Sequence, residues 1–160
     1  MDIGKRGDVI YYTGVFKDVL GVHTNLEHHA IDCGDGTVIE FGGGTRESKF
    51  LADIWRSSKE EFVNRAHEGR IYTKDYPNRD DVDVIMKRAF TALKEGFGKY
   101  DLIHNNCQHF TSWCVTGVGE SKQSEAVLEI FDNLSTHGYI PEFIQAIRWS
   151  HSFWHALTNH

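Results

Sequence analysis

Hydrophobic and polar positions change their rhythm partway along the chain. In the first third, apolar residues come in short runs broken by glycine: "GDVIYYTGVF", then "HHAIDCGDGTVIEFGGG". Runs rich in Val, Ile, Tyr and Phe between turn residues predict strands. The second stretch predicts a hairpin around Gly34-Asp35-Gly36, its second strand broken at Gly42 to Gly44. Residues 48–68 are mixed, with a helix predicted over 57–66. "RIYTKDYP" predicts a short strand stopped by Pro77. Further on, the step becomes three and four. Val82, Ile85, Met86, Ala89, Phe90 and Leu93 mark one face of a helix between Asp80 and Glu95. Gly96 and Gly98 end it. A short helix is predicted from Cys107 to Thr116, closed by Gly117. Two more follow, over 124–134 and from Pro141 onward. Strands followed by helices predict an α+β fold, an antiparallel sheet packed against helices.

The hairpin has two candidate registers, and each sorts its side chains differently. A two-residue loop, Asp35-Gly36, puts Ile31 opposite Glu40 and mixes apolar and charged residues on both faces. A three-residue loop, Gly34-Asp35-Gly36 with Gly36 left-handed, sets Cys33 opposite Thr37 and Ala30 opposite Glu40. One face then carries His29, Ile31, Cys33, Ile39 and Phe41. The other carries His28, Ala30, Asp32, Val38 and Glu40. This register separates apolar from polar better and is preferred. It places His28 diagonal to Glu40, within reach of an imidazole–carboxylate hydrogen bond. A solvated His–Glu pair on a surface strand fits the same spacing.

Composition narrows the classes. The chain has 160 residues, 40% hydrophobic and 25% charged, which suits one domain with one core. That core is expected over about 7–127, with a helical extension over 128–160. A formal net charge of -6 argues against a nucleic-acid partner. No apolar run is long enough to span a bilayer. The opening "MDIGKRGDVIYYTG" has no signal-peptide core. Three cysteines, Cys33, Cys107 and Cys114, do not make a disulfide framework, so a reducing, cytoplasmic setting is expected.

The candidate chemistry lies in "HNNCQHFTSWCVTG". Cys107 sits at a helix start, where unpaired N–H groups and aligned peptide dipoles favour a thiolate. Asn105 or Asn106 is a suitable cap. The same N–H groups suit the oxyanion of a tetrahedral intermediate. Cys114 shares a face with Phe110 and Trp113 and is expected in the core. Cys107 lies at the edge of that face. Position alone leaves it open between a nucleophile and a small buried hydrophobe. His109 is two residues on and diverges around the helix, so it is a poor base for Cys107. His28, diagonal to Glu40, is the better candidate. His23, His28, His29 and Cys33 match no standard zinc spacing, and neither metal nor cofactor is expected.

These residues resemble the lecithin:retinol acyltransferase-like family. "HHAIDCGDGTVIEF" is similar to its histidine block, with small apolar residues, a GDG-type turn and a valine-rich strand. "NNCQHFTSWCVTG" is similar to its NC box, usually Asn-Cys-Glu-His-Phe. "GDVIYY" and "SKQSEAV" are similar to bacterial and plant-type branches. The resemblance covers roughly residues 7–127. It implies a circularly permuted papain-like (NlpC-type) fold. It also implies a thiol acyltransferase or phospholipase-type hydrolase, acting on a lipid ester through an acyl-cysteine. Residue by residue, the family's nucleophile falls on Cys107 and its base on His28. Its third member, usually a second histidine, falls on Glu40. A glutamate there accepts a hydrogen bond from the imidazole, holds its tautomer and raises its pKa. Gln108 stands where the family usually has glutamate. The resemblance implies a phospholipid or other acyl-ester substrate. Trp149, Phe153 and Trp154 suit either peripheral contact with a membrane or closure of the core. Two rival readings use the same fold: an NlpC-type cysteine peptidase or amidase, and a non-catalytic interaction domain supported by the Glu40 departure.

Overall fold

The hairpin adopts the three-residue turn. In this computed structural model Ala30 pairs with Glu40, Ile31 with Ile39 and Asp32 with Val38. Gly34 and Gly36 both take positive φ, 76° and 80°, where a side chain is strained. The Asp32 carboxylate accepts the Gly34 N–H at 2.8 Å, a local bond that tightens the turn. The structure describes residues 3–19, 22–42, 53–99, 105–122, 124–125 and 128–129.

The fold is α+β. Its strands are β1 (Val9–Val19), β2 (Val22–Asp32), β3 (Thr37–Gly42), β4 (Asp53–Ser58) and β5 (Tyr72–Lys74). Its helices are α1 (Lys59–Arg65), α2 (Val82–Glu95) and α3 (Cys107–Thr116). The strands form one sheet in the order β4-β3-β2-β1-β5, each pair antiparallel. β4 is not foreseen in the sequence. "DIWRSS" holds too few apolar residues to show an alternation, and it runs straight into a strong helix start. Ser58 ends the strand and caps α1, its hydroxyl taking the Glu61 N–H while Glu61 returns to the Ser58 N–H.

Both faces of the sheet are covered. On one, Val9, Ile31, Ile39 and Phe41 pack with Ile85, Met86 and Ala89 of α2 and with Phe110, Cys114 and Val115 of α3. On the other, Ile10, Ala30 and Val38 pack with Phe62 and Ala66 at α1. The face expected to be polar is therefore also interior. Val38 and Glu40 have no exposure at all, because α1 folds back over them. The α2 stripe is shifted too. Ala92 is buried, whereas Phe90 is 38% exposed and lies under the Arg56 guanidinium. Phe90 sits on the flank of the stripe, and an arginine stem covers it there.

The chain divides into two compact units, Met1–Ser124 and Glu125–His160. All elements named above belong to the first. Most of the helix expected over 124–134, and all of that expected from Pro141, lie outside the described residues, as do Trp149, Phe153 and Trp154. No helix among the described residues is long and apolar enough to cross a membrane.

Candidate active site

Helix α3 begins with an unusually full cap. The Asn106 side chain accepts the N–H groups of Gln108 (2.9 Å) and His109 (3.2 Å). His109 Nδ1 accepts the Asn106 N–H at 3.1 Å, closing a reciprocal pair. The Asn106 amide also donates to Ser121 and Ser124, both at 3.0 Å. Asn106 is completely buried. Its neighbour Asn105 ties the incoming loop to the carbonyls of Phe97 (2.7 Å) and Lys99 (3.1 Å). His109 is thus a capping residue. The cap takes the N–H groups of Gln108 and His109 and leaves that of Cys107 as the remaining donor of the first turn. Asn106→Ala removes the side-chain acceptor of two backbone N–H groups and the amide donor to two serines. It is expected to cost about 1–3 kcal/mol in chemical denaturation, with Asn106→Asp intermediate because it restores only the acceptor.

The three cysteines are free and buried, but they face different surroundings. Cys33 and Cys114 lie in the apolar core, and burial pushes both thiols up. Cys107 instead meets polar groups. Its sulfur lies 3.6 Å from the Glu27 carbonyl oxygen, and it is near enough to the His28 ring to raise the imidazole pKa. Among the described residues the β2–β3 pairing ends at Ala30–Glu40, and α3 packs on the face of the sheet that carries Ile31, Ile39 and Phe41, with Cys107 in its first turn.

His28 is held on two sides. Its Nε2 is 2.7 Å from Glu40 Oε2, so Nδ1 is the nitrogen left to the thiol. Tyr12 and Phe62 flank the ring, with centroids 5.4 and 5.9 Å away. Gly42 completes the fit. A Cβ there would lie 3.0 Å from His28 Cε1. Gly42→Ala is expected to displace the imidazole and cut turnover by roughly tenfold or more. Stability should change by less than about 1 kcal/mol, which comparison of turnover with urea midpoints checks.

Glu40 is wholly enclosed. Beside His28, it accepts Ser57 Oγ (2.6 Å) and Arg65 Nη2 (2.5 Å) on Oε1. Burial opposes its charge, but bonds from His28, Arg65 and Ser57 outweigh that and hold it at about 2. For His28, burial pulls downward, and the neighbouring Cys107 and the bond to Glu40 raise it to about 9. The site therefore favours imidazolium beside carboxylate. A solvated surface pair is excluded, since Glu40 has no exposure.

His29 lies on the opposite face. It stacks on Tyr11, with centroids 5.0 Å apart, and its Nε2 meets Glu27 Oε2 at 2.8 Å. Burial lowers its pKa, and its Nδ1 has no hydrogen-bond partner among the described residues. A buried neutral ring suits that setting. Gln108 donates to the same Glu27 oxygen at 3.1 Å and accepts Ser121 Oγ at 3.0 Å. Here glutamine serves Glu27 in a way a second carboxylate would not.

Cys107, His28 and Glu40, singled out from sequence, thus converge. Cys114, Cys33 and His109 do not join them. Sequence reasoning misses Ser57, Arg65 and Glu27, whose roles come from strands and a helix meeting at Glu40 and Cys107. No local pattern marks them. His, Cys, Asp and Glu form no metal-holding cluster among the described residues.

The chain is 28% identical over 130 residues to Protein LEAD-SENSITIVE 1 of Arabidopsis thaliana, covering 72% of this chain and 50% of that protein. It thus spans about half the length of that curated relative. The family model described as lecithin retinol acyltransferase matches residues 4–120, most of the chain and every element of the site. A histidine strand and an Asn-capped cysteine helix, held together across the sheet, occur here within that match, and the chain belongs to the lecithin retinol acyltransferase family.

Proposed function

We propose that this protein is a thiol-dependent acyltransferase or phospholipase-type hydrolase that cleaves a lipid ester through an acyl-Cys107 intermediate. The observation that carries the reading is His28, bonded to a buried carboxylate and set close enough to the Cys107 thiol to feel it. Family membership supports the reaction class.

With the Cys107 proton already held on His28 Nδ1, the thiolate attacks the ester carbonyl. A C–S bond forms and the carbonyl π pair moves to oxygen. The Cys107 N–H, left over by the Asn106 cap, supports that oxyanion. The intermediate collapses: the C–O bond breaks, and the leaving oxygen takes the His28 proton. Water or another acceptor then attacks the thioester, loses its proton to His28 and releases the thiolate. Glu40 holds the ring through Nε2 throughout.

The substrate is proposed to be a phospholipid or related acyl ester, met at a membrane surface. Three free thiols support a reducing, cytoplasmic setting. The test is incubation with mixed phospholipid vesicles, with and without a primary amine, followed by lipid analysis and peptide-level mass mapping. Lysolipid with fatty acid or N-acyl amine, and an acyl mass on Cys107, are expected. Turnover of peptide amides without ester turnover would replace this reading with a peptidase or amidase. Turnover of neither would leave a non-catalytic domain.

A further inference from the structure

Glu40 is fully enclosed yet has two cationic partners. One of them, His28, must gain and lose a proton in each turnover if the proposed reaction holds. The other, Arg65, keeps its charge throughout. Its guanidinium is fixed from three directions. Nη2 donates to Glu40 Oε1 at 2.5 Å, Nε donates to the Glu61 carbonyl at 3.3 Å, and the group lies over the Phe62 ring at 5.6 Å. Ser57 Oγ donates to the same carboxylate oxygen at 2.6 Å. Arg65 reaches Glu40 because the Ser58 cap turns the chain from β4 directly into α1, and two helical turns bring position 65 over β3.

The charges around the pair come from every packed element. Glu40 of β3 and Cys107 of α3 act on His28, with the Tyr12 ring of β1 against it and His29 beside it on β2. Ser57 of β4, Arg65 of α1 and Tyr12 act on Glu40, and Glu61 acts on Arg65. In the imidazolium state, Glu40 has two cations beside it. Once His28 releases its proton, Arg65 alone compensates the buried carboxylate. A buried anion whose single partner was imidazolium would hold that proton back.

We propose that Arg65 is a positioning residue for proton delivery: it keeps Glu40 ionised and aimed at His28, and so lets His28 give its Nδ1 proton to the leaving alcohol. In that step the C–O bond of the tetrahedral intermediate breaks, its electron pair passes to the leaving oxygen, and that oxygen takes the proton. The carbonyl re-forms as acyl-Cys107 and the imidazole becomes neutral. This role rests on the Cys107–His28 chemistry proposed above.

The test compares the full chain with Arg65→Gln and Arg65→Lys. His28 is titrated by NMR, and kinetics are read on an alkyl ester and a 4-nitrophenyl ester of the same acid. In Arg65→Gln the His28 midpoint is expected to rise by roughly half a pH unit or more. Turnover of the alkyl ester should fall by about tenfold with KM unchanged. The nitrophenyl ester, whose leaving group departs unprotonated, should change by less than about twofold. Arg65→Lys, which keeps the charge without the fork, should fall between wild type and Arg65→Gln, and it decides the matter if Arg65→Gln does not fold. A His28 midpoint at or below wild type in either folded variant, or equal loss on both esters, overturns the proposal. If the wild type acylates no ester at all, the reaction class itself fails, and the titration still reads Arg65 independently.

Discussion

Cys107→Ala abolishes acyl-enzyme formation and lowers turnover by on the order of 10⁴-fold or more, because removal of a nucleophile eliminates the covalent route altogether. The substitution removes one sulfur from a buried site, at a cost of about 1 kcal/mol or less, so the folded state persists. Cys107→Ser is the sharper control. A serine hydroxyl retains a donor toward the Glu27 carbonyl, but an alcohol is far harder to ionise than a thiol at neutral pH, so it too should be nearly inactive. Intact mass after exposure to an activated ester reads the adduct, and peptide mapping places it. The remaining thiols are poor competitors. Cys114 is enclosed in the apolar core, Cys33 lies at its edge beside Thr37, and burial raises both thiols. An adduct of equal size on Cys33 or Cys114, or one that survives in Cys107→Ala, would remove Cys107 from the role of nucleophile.

The second large effect belongs to Glu40. Glu40→Gln keeps the shape of the side chain and loses its charge. His28 then loses the carboxylate that helps hold it at about 9, so its titration midpoint falls. Turnover is expected to drop by about 10²-fold or more, the scale seen when the anion behind a catalytic imidazole is neutralised. Glu40→Ala goes further and leaves His28, Ser57 and Arg65 without their shared acceptor. Its stability cost is expected at about 2–4 kcal/mol in urea denaturation, moderated because His28 and Arg65 retain some access to water.

The pH dependence of that cost has a definite sign. The folded value for His28 is raised from 6.5 to about 9, so its contribution is complete below about 6.5 and lost as pH rises through about 9. The folded value for Glu40 is lowered from 4.5 to about 2, so its contribution is complete above about 4.5 and lost as pH falls through about 2. The stability gap between wild type and Glu40→Gln should therefore be widest between about pH 4.5 and 6.5 and narrow on both sides. A gap that is flat from pH 4 to 9 would show that the pair is not ionised as the geometry implies.

Glu40 also shows how far one chain's chemistry can be read before it folds. The hairpin register was legible because glycines at 34 and 36 admit the left-handed turn, and because one register sorts apolar from polar better than the other. That placed His28 diagonal to Glu40. The start of α3 was legible from Asn105 and Asn106, either of which suits a cap, and the structure selects Asn106. Its end was legible from Gly117, which takes φ 82°. The burial of Glu40 was not legible, because a run of alternating residues does not say what covers the polar face.

Local sequence by itself determined the hairpin, the start and end of the cysteine helix, and the candidates Cys107, His28 and Glu40. Those features depend on neighbours a few residues away, through turn conformations, caps and side-chain alternation. Only the tertiary structure decided that β4 pairs with β3, that α1 covers Glu40, and that the Cys107 sulfur meets the Glu27 carbonyl. It also decided that Ser57 and Arg65 close on Glu40 from separate elements. These contacts join residues 11 to 80 positions apart, and no local preference encodes a partner at that distance. They form because the fold must bury a sheet on both faces and leave no enclosed charge uncompensated.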